Sequence, residues 1–222
     1  CFWMCGLLCL LRHPKSLSSE NVFCDLQARV AHLLNRGYDA VGVGMFSPEK
    51  QSYLWKRARS AQIDACVEPQ INASQILLCH TRWATHGGFA VKNAHPHTDA
   101  SCRFFLVHNG IIQNSLDLSF EAECLSDTDT ERVVQWIGEN VRENVFEVFQ
   151  RCVAKCVGSW AFCLVDESRP SRLYFARRRN SLLVCEYLGK IFVVSEIRAL
   201  LGFRHSLDSV RVWVVPEGFV GF

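Results

Sequence analysis

Apolar positions fall in two rhythms along the chain, one of period two or continuous, the other near 3.6. The opening run from Cys1 to Leu11 is nearly all apolar and reads as a buried strand. Ser18 and Ser19 then offer N-caps, and Val22, Phe23, Leu26, Val30, Leu33 and Leu34 recur at helical spacing until Gly37 supplies a stop. Val41 to Phe46 and Gln51 to Lys56, joined across Ser47-Pro48-Glu49-Lys50, read as a hairpin, with further strands at Ile76 to Thr81 and Arg103 to His108. Between those two strands, Thr81 to Asp99 is rich in His, Thr, Gly, Asn and Pro and has no period. A loop of that length inside a compact domain is usually functional.

Thr128-Asp129-Thr130-Glu131 fits a capping box, opening a helix through Val133, Val134, Trp136, Ile137 and Val141. A second helix runs from about Asn144 to Cys156. Strands return at Trp160 to Val165, Leu173 to Arg177, Leu182 to Glu186 and Ile191 to Val194. A short helix near Ile197 to Leu201 and a last pair of strands, Val210 to Val215 and Phe219 onward, complete the pattern. Strands, then helices, then strands joined by tight turns argue for α+β architecture, with antiparallel sheets covered by helices.

Composition narrows the function classes. The 222 residues suit one domain, and 49% hydrophobic with 21% charged residues excludes a disordered chain. The formal charge of +2 is far from the basic excess of a nucleic-acid binder. No apolar stretch reaches the 18 or more residues of a membrane-crossing helix. Twelve cysteines are too few for a disulfide scaffold. Most lie in apolar runs, where a thiol behaves as a small hydrophobe, so a reducing, cytoplasmic setting is expected. Cys152 and Cys156 have no second pair at zinc-ribbon spacing, and no metal or other cofactor is expected. The basic stretch from Arg169 to Arg211 reads either as a docking face for an anionic partner or as solvated and internally paired charge, and the second reading is favoured.

The chemistry starts at Cys5-Gly6. A cysteine at a chain's amino terminus carries its own base, because the α-amine, with a pKa of about 8, is close enough to take the thiol proton. A free amino acid substrate presents one carboxylate and one ammonium group, calling for a forked cation and an anion; Arg82 and Asp129 could supply them, or form an ordinary structural ion pair. An Asn-Gly turn at Asn109-Gly110 would present a side-chain amide beside an unhindered N–H, suited to holding an oxyanion. Five of the eight histidines, His80, His86, His95, His97 and His108, lie within 29 positions and read as hydrogen-bond anchors in preference to metal ligands.

These residues sit in longer segments: Met4-Cys5-Gly6, R-G-Y-D from Arg36 to Asp39, H-T-R-W-A-T-H-G from His80 to Gly87, N-A-H-P-H from Asn93 to His97, H-N-G-I-I from His108 to Ile112, and S-D-T-D-T-E from Ser126 to Glu131. In that order, over nearly the whole chain, they resemble the glutaminase domain of the class II (N-terminal nucleophile) glutamine amidotransferases. Within that family the likeness is greatest to the glutamine:fructose-6-phosphate branch.

The resemblance implies an N-terminal nucleophile hydrolase fold, a four-layer αββα sandwich with two antiparallel sheets. It also implies a substrate, L-glutamine. Cys5 would attack the side-chain carboxamide, Asn109 and Gly110 would hold the oxyanion, and water would hydrolyse the thioester to glutamate after ammonia leaves. Arg82, on a loop expected to be exposed, would bind the substrate carboxylate, and Asp129 its ammonium. Trp83, Thr85 and His86 would shape the cover over glutamine and the ammonia gate, with Arg36 and Asp39 in support. Ammonia would pass to a sugar-phosphate isomerase domain, in the same or another chain, making glucosamine 6-phosphate from fructose 6-phosphate. A homo-oligomer of the full-length enzyme is compatible with this.

Two departures bear on activity. Ala40-Val41 stands where the family has Ser-Ala. Residues 1–4 precede Cys5, so residues 5–222 are expected to form the domain proper, without the isomerase part. Either Met4 is the initiator and its removal frees Cys5, or the extension persists and the domain is an inactive glutamine-binding module; the first is favoured. A glutaminase half serving another ammonia acceptor is a further alternative.

Overall fold

The computed structural model describes residues 5–13, 21–49, 51–83, 90–142, 144–201 and 210–222, and only the backbone of Arg36. Seven strands form one sheet in the order β11 (Val210–Val214), β9 (Leu183–Tyr187), β10 (Lys190–Val194), β1 (Gly6–Arg12), β4 (Ile76–Arg82), β2 (Ala40–Phe46) and β3 (Ser52–Ala58). Five form the second: β12 (Val220–Gly221), β8 (Leu173–Arg178), β7 (Gly158–Asp166), β6 (Phe104–Ile112) and β5 (His97–Thr98). Every pairing between these strands is antiparallel.

The layering follows from the period-two alternation of strand side chains. Leu8 and Leu10 of β1 face outward and pack with Val22, Phe23, Leu26 and Val30 of α1 (Val22–His32) and Ile71 of α2 (Glu68–Ala73). Leu7 and Cys9, from the same strand, face the other way, into an inter-sheet core with Ile76, Leu78, Phe105, Val107, Ala161 and Cys163. The second sheet repeats the arrangement. Phe104, Leu106, Phe162 and Leu164 turn away from the first sheet and pack under Val133, Val134 and Ile137 of α3 (Asp129–Asn140) and Val148, Phe149 and Cys152 of α4 (Val145–Lys155). Three apolar cores between four layers, two helical and two sheet, make the expected αββα sandwich. Each fully buried aliphatic or aromatic side chain in these layers contributes roughly 1.5–3 kcal/mol.

Several boundaries differ from the sequence reading. Asn21, whose side chain accepts the Cys24 N–H at 3.1 Å, is the N-cap of α1; Ser18 and Ser19 lie outside the described residues. The Thr128 hydroxyl accepts the Glu131 N–H as a capping box requires, but Glu131 turns its carboxylate to the N–H groups of Leu125 and Ser126. The last two strands are no pair: β11 joins β9 in the first sheet and β12 joins β8 in the second. The α2 helix was not anticipated, because six residues with Pro69 in the first turn are too few to show a period. In the basic stretch, Arg177 donates to the Asn180 carbonyl and Arg178 to that of Cys156, so both are internally paired. All eleven described cysteines are free thiols. Among the described residues, no helix is long and apolar enough to cross a membrane.

Candidate active site

Cys5 sits immediately before β1, and Gly6 pairs with Thr81 on β4, so the end of β4 lies beside the thiol. The Trp83 N–H donates to Cys5 Sγ at 3.3 Å and the thiol donates to the Trp83 carbonyl at 3.9 Å. Burial pushes the Cys5 thiol up, against the lowering influence of the Trp83 N–H and the Arg82 charge. A thiol so placed needs a base to become a nucleophile.

Cys5 opens into a cavity of about 350 Å³ whose walls include Arg82, Trp83, Gly110 and Asp129. Arg82 is the last residue of β4 and only 5% exposed. This corrects the expectation of an exposed loop: β4 runs on to pair Arg82 with Ala40 of β2. The R-G-Y-D segment forms the wall behind it. The Asp39 N–H donates to the Arg82 carbonyl at 3.1 Å, and Tyr38 meets Trp83 edge to face at 5.2 Å between centroids. Gly37, at φ 140°, lies against the Arg82 backbone, where a Cβ would come within 2.5 Å of the carbonyl carbon. Gly37 and Tyr38 therefore support the site beside Asp39. The Arg36 side chain, Thr85 and His86 lie outside what is described.

Asp129 is the first residue of α3, where a carboxylate is favoured by the helix dipole. Its Oδ2 accepts the Ile112 N–H at 2.8 Å and its Oδ1 accepts the Thr130 hydroxyl at 3.3 Å. Burial raises its pKa, but the neighbouring His108, the Ile112 N–H and the Thr130 hydroxyl outweigh this and hold it below the usual carboxylate value.

Asn109 and Gly110 occupy the interior of β6, opposite Ala161 and Trp160, and not a turn as the dipeptide suggested. A local Asn-Gly preference yields here to nine residues of cross-strand pairing. Gly110, at φ 127°, has no room for a Cβ against the Ser159 carbonyl. Asn109 is buried: its Nδ2 donates to the Cys5 carbonyl at 2.7 Å, its Oδ1 lies 3.0 Å from His80 Nε2, and its carbonyl accepts from Asn180 Nδ2 at 2.9 Å.

Residues 80–202, more than half of the chain, match the family described as the glutamine amidotransferase domain. The chain belongs to that family, in class II. The glutamine--fructose-6-phosphate aminotransferase [isomerizing] of Streptococcus pyogenes is 35% identical over 205 residues, covering 89% of this chain and 33% of that protein. That of Geobacillus kaustophilus is 36% identical over 192 residues, covering 82% and 32%. The chain thus spans about a third of the length of these relatives. A solved structure described as glutamine phosphoribosylpyrophosphate amidotransferase from B. subtilis, complexed with ADP and GMP, superposes with a TM-score of 0.67 at 15% identity, over 97% of this chain and 48% of that one. The amidotransferase fold is the N-terminal nucleophile hydrolase sandwich described above.

In this amidotransferase domain the histidines interlock. His80 packs against His95, tilted by 36°, at 4.1 Å between centroids, His95 meets His97 at 4.7 Å, and His95 Nδ1 accepts the His108 N–H at 3.3 Å. His108 Nδ1 pairs with the Thr130 hydroxyl at 2.9 Å, and His97 Nε2 with that of Thr128 at 3.0 Å. Burial drops His80 to about 3 and holds His95 and His97 well below the usual value, so these rings are neutral. Among the described residues, no three His, Cys, Asp or Glu groups are arranged to hold a metal. Sequence reasoning missed the roles of Asn180, which sits in a segment without a distinctive pattern, and of Thr130, whose partner His108 is 22 positions away although the S-D-T-D-T-E segment contains it. A second hollow, of about 410 Å³ between α1 and Ser60–Ile63, has no charged lining residue among the described residues.

Proposed function

We propose that the domain hydrolyses the side-chain amide of L-glutamine. The observation that carries this reading is the Cys5 thiol opening into a cavity walled by both Arg82 and Asp129, one cation and one anion for an amino acid's two charged ends. In this reading residues 5–222 form the domain, and removal of residues 1–4 exposes the Cys5 α-amine, which takes the thiol proton. Sγ then bonds to the carboxamide carbon, and the tetrahedral oxyanion forms beside the Gly110 N–H and the Asn109 amide. Collapse breaks the C–N bond, the amine's proton passes to the leaving group, and ammonia departs. Water attacks the thioester, its proton returning through the same amine, and glutamate leaves with the thiol restored.

The names of the relatives support an acceptor for that ammonia: fructose 6-phosphate, converted to glucosamine 6-phosphate by a sugar-phosphate isomerase domain in the same or another chain. Trp83, packed on Tyr38 beside Cys5, suits a gate between the two. Free buried thiols support a cytoplasmic, reducing setting. Glutamate release from glutamine, measured with the amino terminus verified at Cys5 and repeated on Cys5→Ala, tests the reading. Release that survives Cys5→Ala, or no release with Cys5 exposed, overturns it.

A further inference from the structure

Asn109 must present its NH2 group to Cys5, because a backbone carbonyl only accepts. Its Oδ1 therefore faces His80 Nε2. That same nitrogen lies 3.0 Å from the His108 carbonyl, a second obligate acceptor. Two acceptors around one ring nitrogen leave one consistent assignment: Nε2 carries the hydrogen and is shared between them, and Nδ1, which has no hydrogen-bond partner, carries the lone pair. The ring itself packs against His95, with centroids 4.1 Å apart and planes tilted by 36°.

We infer that His80 is a positioning residue for glutamine hydrolysis, its Nε2–H fixing which way the Asn109 amide points and so aiming the Asn109 NH2 group at the Cys5 end of the cavity. An asparagine amide has nearly the same shape after a half-turn, and only its partners decide the direction. The Nε2–H makes the flipped amide, with NH2 against N–H, unfavourable. With one amide hydrogen on the Cys5 carbonyl, the other is left for charge developing on the substrate oxygen. Burial keeps the ring neutral, with one donor and one acceptor nitrogen, throughout the range in which the enzyme would work. This inference rests on the glutaminase reading above.

The test compares His80→Gln, His80→Asn and His80→Leu in protein beginning at Cys5. A glutamine side chain places its amide nitrogen where Nε2 stands; an asparagine places it at the Nδ1 position. Loss of the aim is expected to lower kcat for glutamate release at least 10-fold in the Asn and Leu variants, approaching the roughly 100-fold that loss of an oxyanion donor brings. His80→Gln is expected to recover most of it, with KM within about twofold throughout because the α-groups of glutamine bind elsewhere. Asn and Gln variants of equal kcat would overturn the inference even if the Leu variant fails to fold. Histidine 15N NMR of the unaltered domain reads the tautomer without any catalysis: protonated Nε2 is expected, and protonated Nδ1 would overturn the inference. A domain with the expected tautomer and no glutaminase activity would refute the glutaminase reading, and with it the catalytic role of His80.

Discussion

The Asn109 side-chain amide donates to the Cys5 carbonyl at 2.7 Å, tying the second sheet to the first at the residue proposed as nucleophile. One side chain thus joins the catalytic and structural consequences. Asn109→Leu, close in shape but without polar atoms, is expected to lower the glutamine hydrolysis rate by about 100- to 1000-fold. It also removes the Asn109 donor from the Cys5 carbonyl, costing about 1–3 kcal/mol, while His80 Nε2 keeps the His108 carbonyl. Steady-state kinetics and thermal unfolding on the same preparation check both.

Gly110→Ala is expected to be primarily a folding defect. The backbone at φ 127° is strained for any L side chain, and the Ser159 carbonyl occupies the space a Cβ needs. A cost of at least about 2 kcal/mol corresponds to a fall of roughly 4–8 °C in Tm for a domain this size. Calorimetry reads it, and an unshifted Tm would show that β6 and β7 can separate locally.

For Arg82, burial changes the expected outcome. A surface loop would permit Arg82→Ala with the fold intact; a 5% exposed guanidinium at the end of β4 does not. Arg82→Lys keeps the charge and loses the fork, and is expected to raise KM for glutamine about 10-fold while kcat moves little. Arg82→Ala is expected to lower both affinity and Tm.

Asp129 supplies a pH signature. Its carboxyl is held below its unfolded value, so its contribution to stability is present above about pH 4 and is lost as pH falls through the lower folded value. Asp129→Asn is therefore expected to be less stable at neutral pH and to lose stability less steeply on acidification. Urea unfolding between pH 2 and 7, on an arbitrary but common set of buffers, measures the difference in slope. The same substitution is expected to raise KM for glutamine.

Much of the fold was legible because the strands are long and apolar and the α3 and α4 helices have clear 3.6-residue periods. The split of the last two strands between sheets was not legible: Val210 to Val215 and Phe219 onward look alike locally, and only partners distant in sequence, β9 and β8, separate them. At the site, the sequence marked Cys5, Arg82, Gly110 and Asp129 around what proves to be one cavity. It placed Asn109-Gly110 in a turn because the dipeptide's local preference is strong, whereas pairing with β7 decides the conformation. Gly37 and Tyr38 lie inside the R-G-Y-D segment, but their partners Arg82 and Trp83 are 45 positions on, and the work of Asn180 depends on a contact across 71 positions with no local signature.

Thiol reactivity distinguishes the two forms of the amino terminus. With residues 1–4 retained, Cys5 has an amide nitrogen, and burial pushes its thiol up, so alkylation is expected to be slower at neutral pH than for protein beginning at Cys5. Alkylation at equal rates in both forms would show that the α-amine is not the base.

In the proposed reaction, Cys5 with a free amino terminus hydrolyses glutamine. Glutamate release, measured side by side for protein beginning at Cys5, protein retaining residues 1–4, and Cys5→Ala, tests it most directly. Turnover in the first, and its loss in the other two, is the predicted result. No turnover in protein verified to begin at Cys5, or turnover that persists in Cys5→Ala, would contradict it.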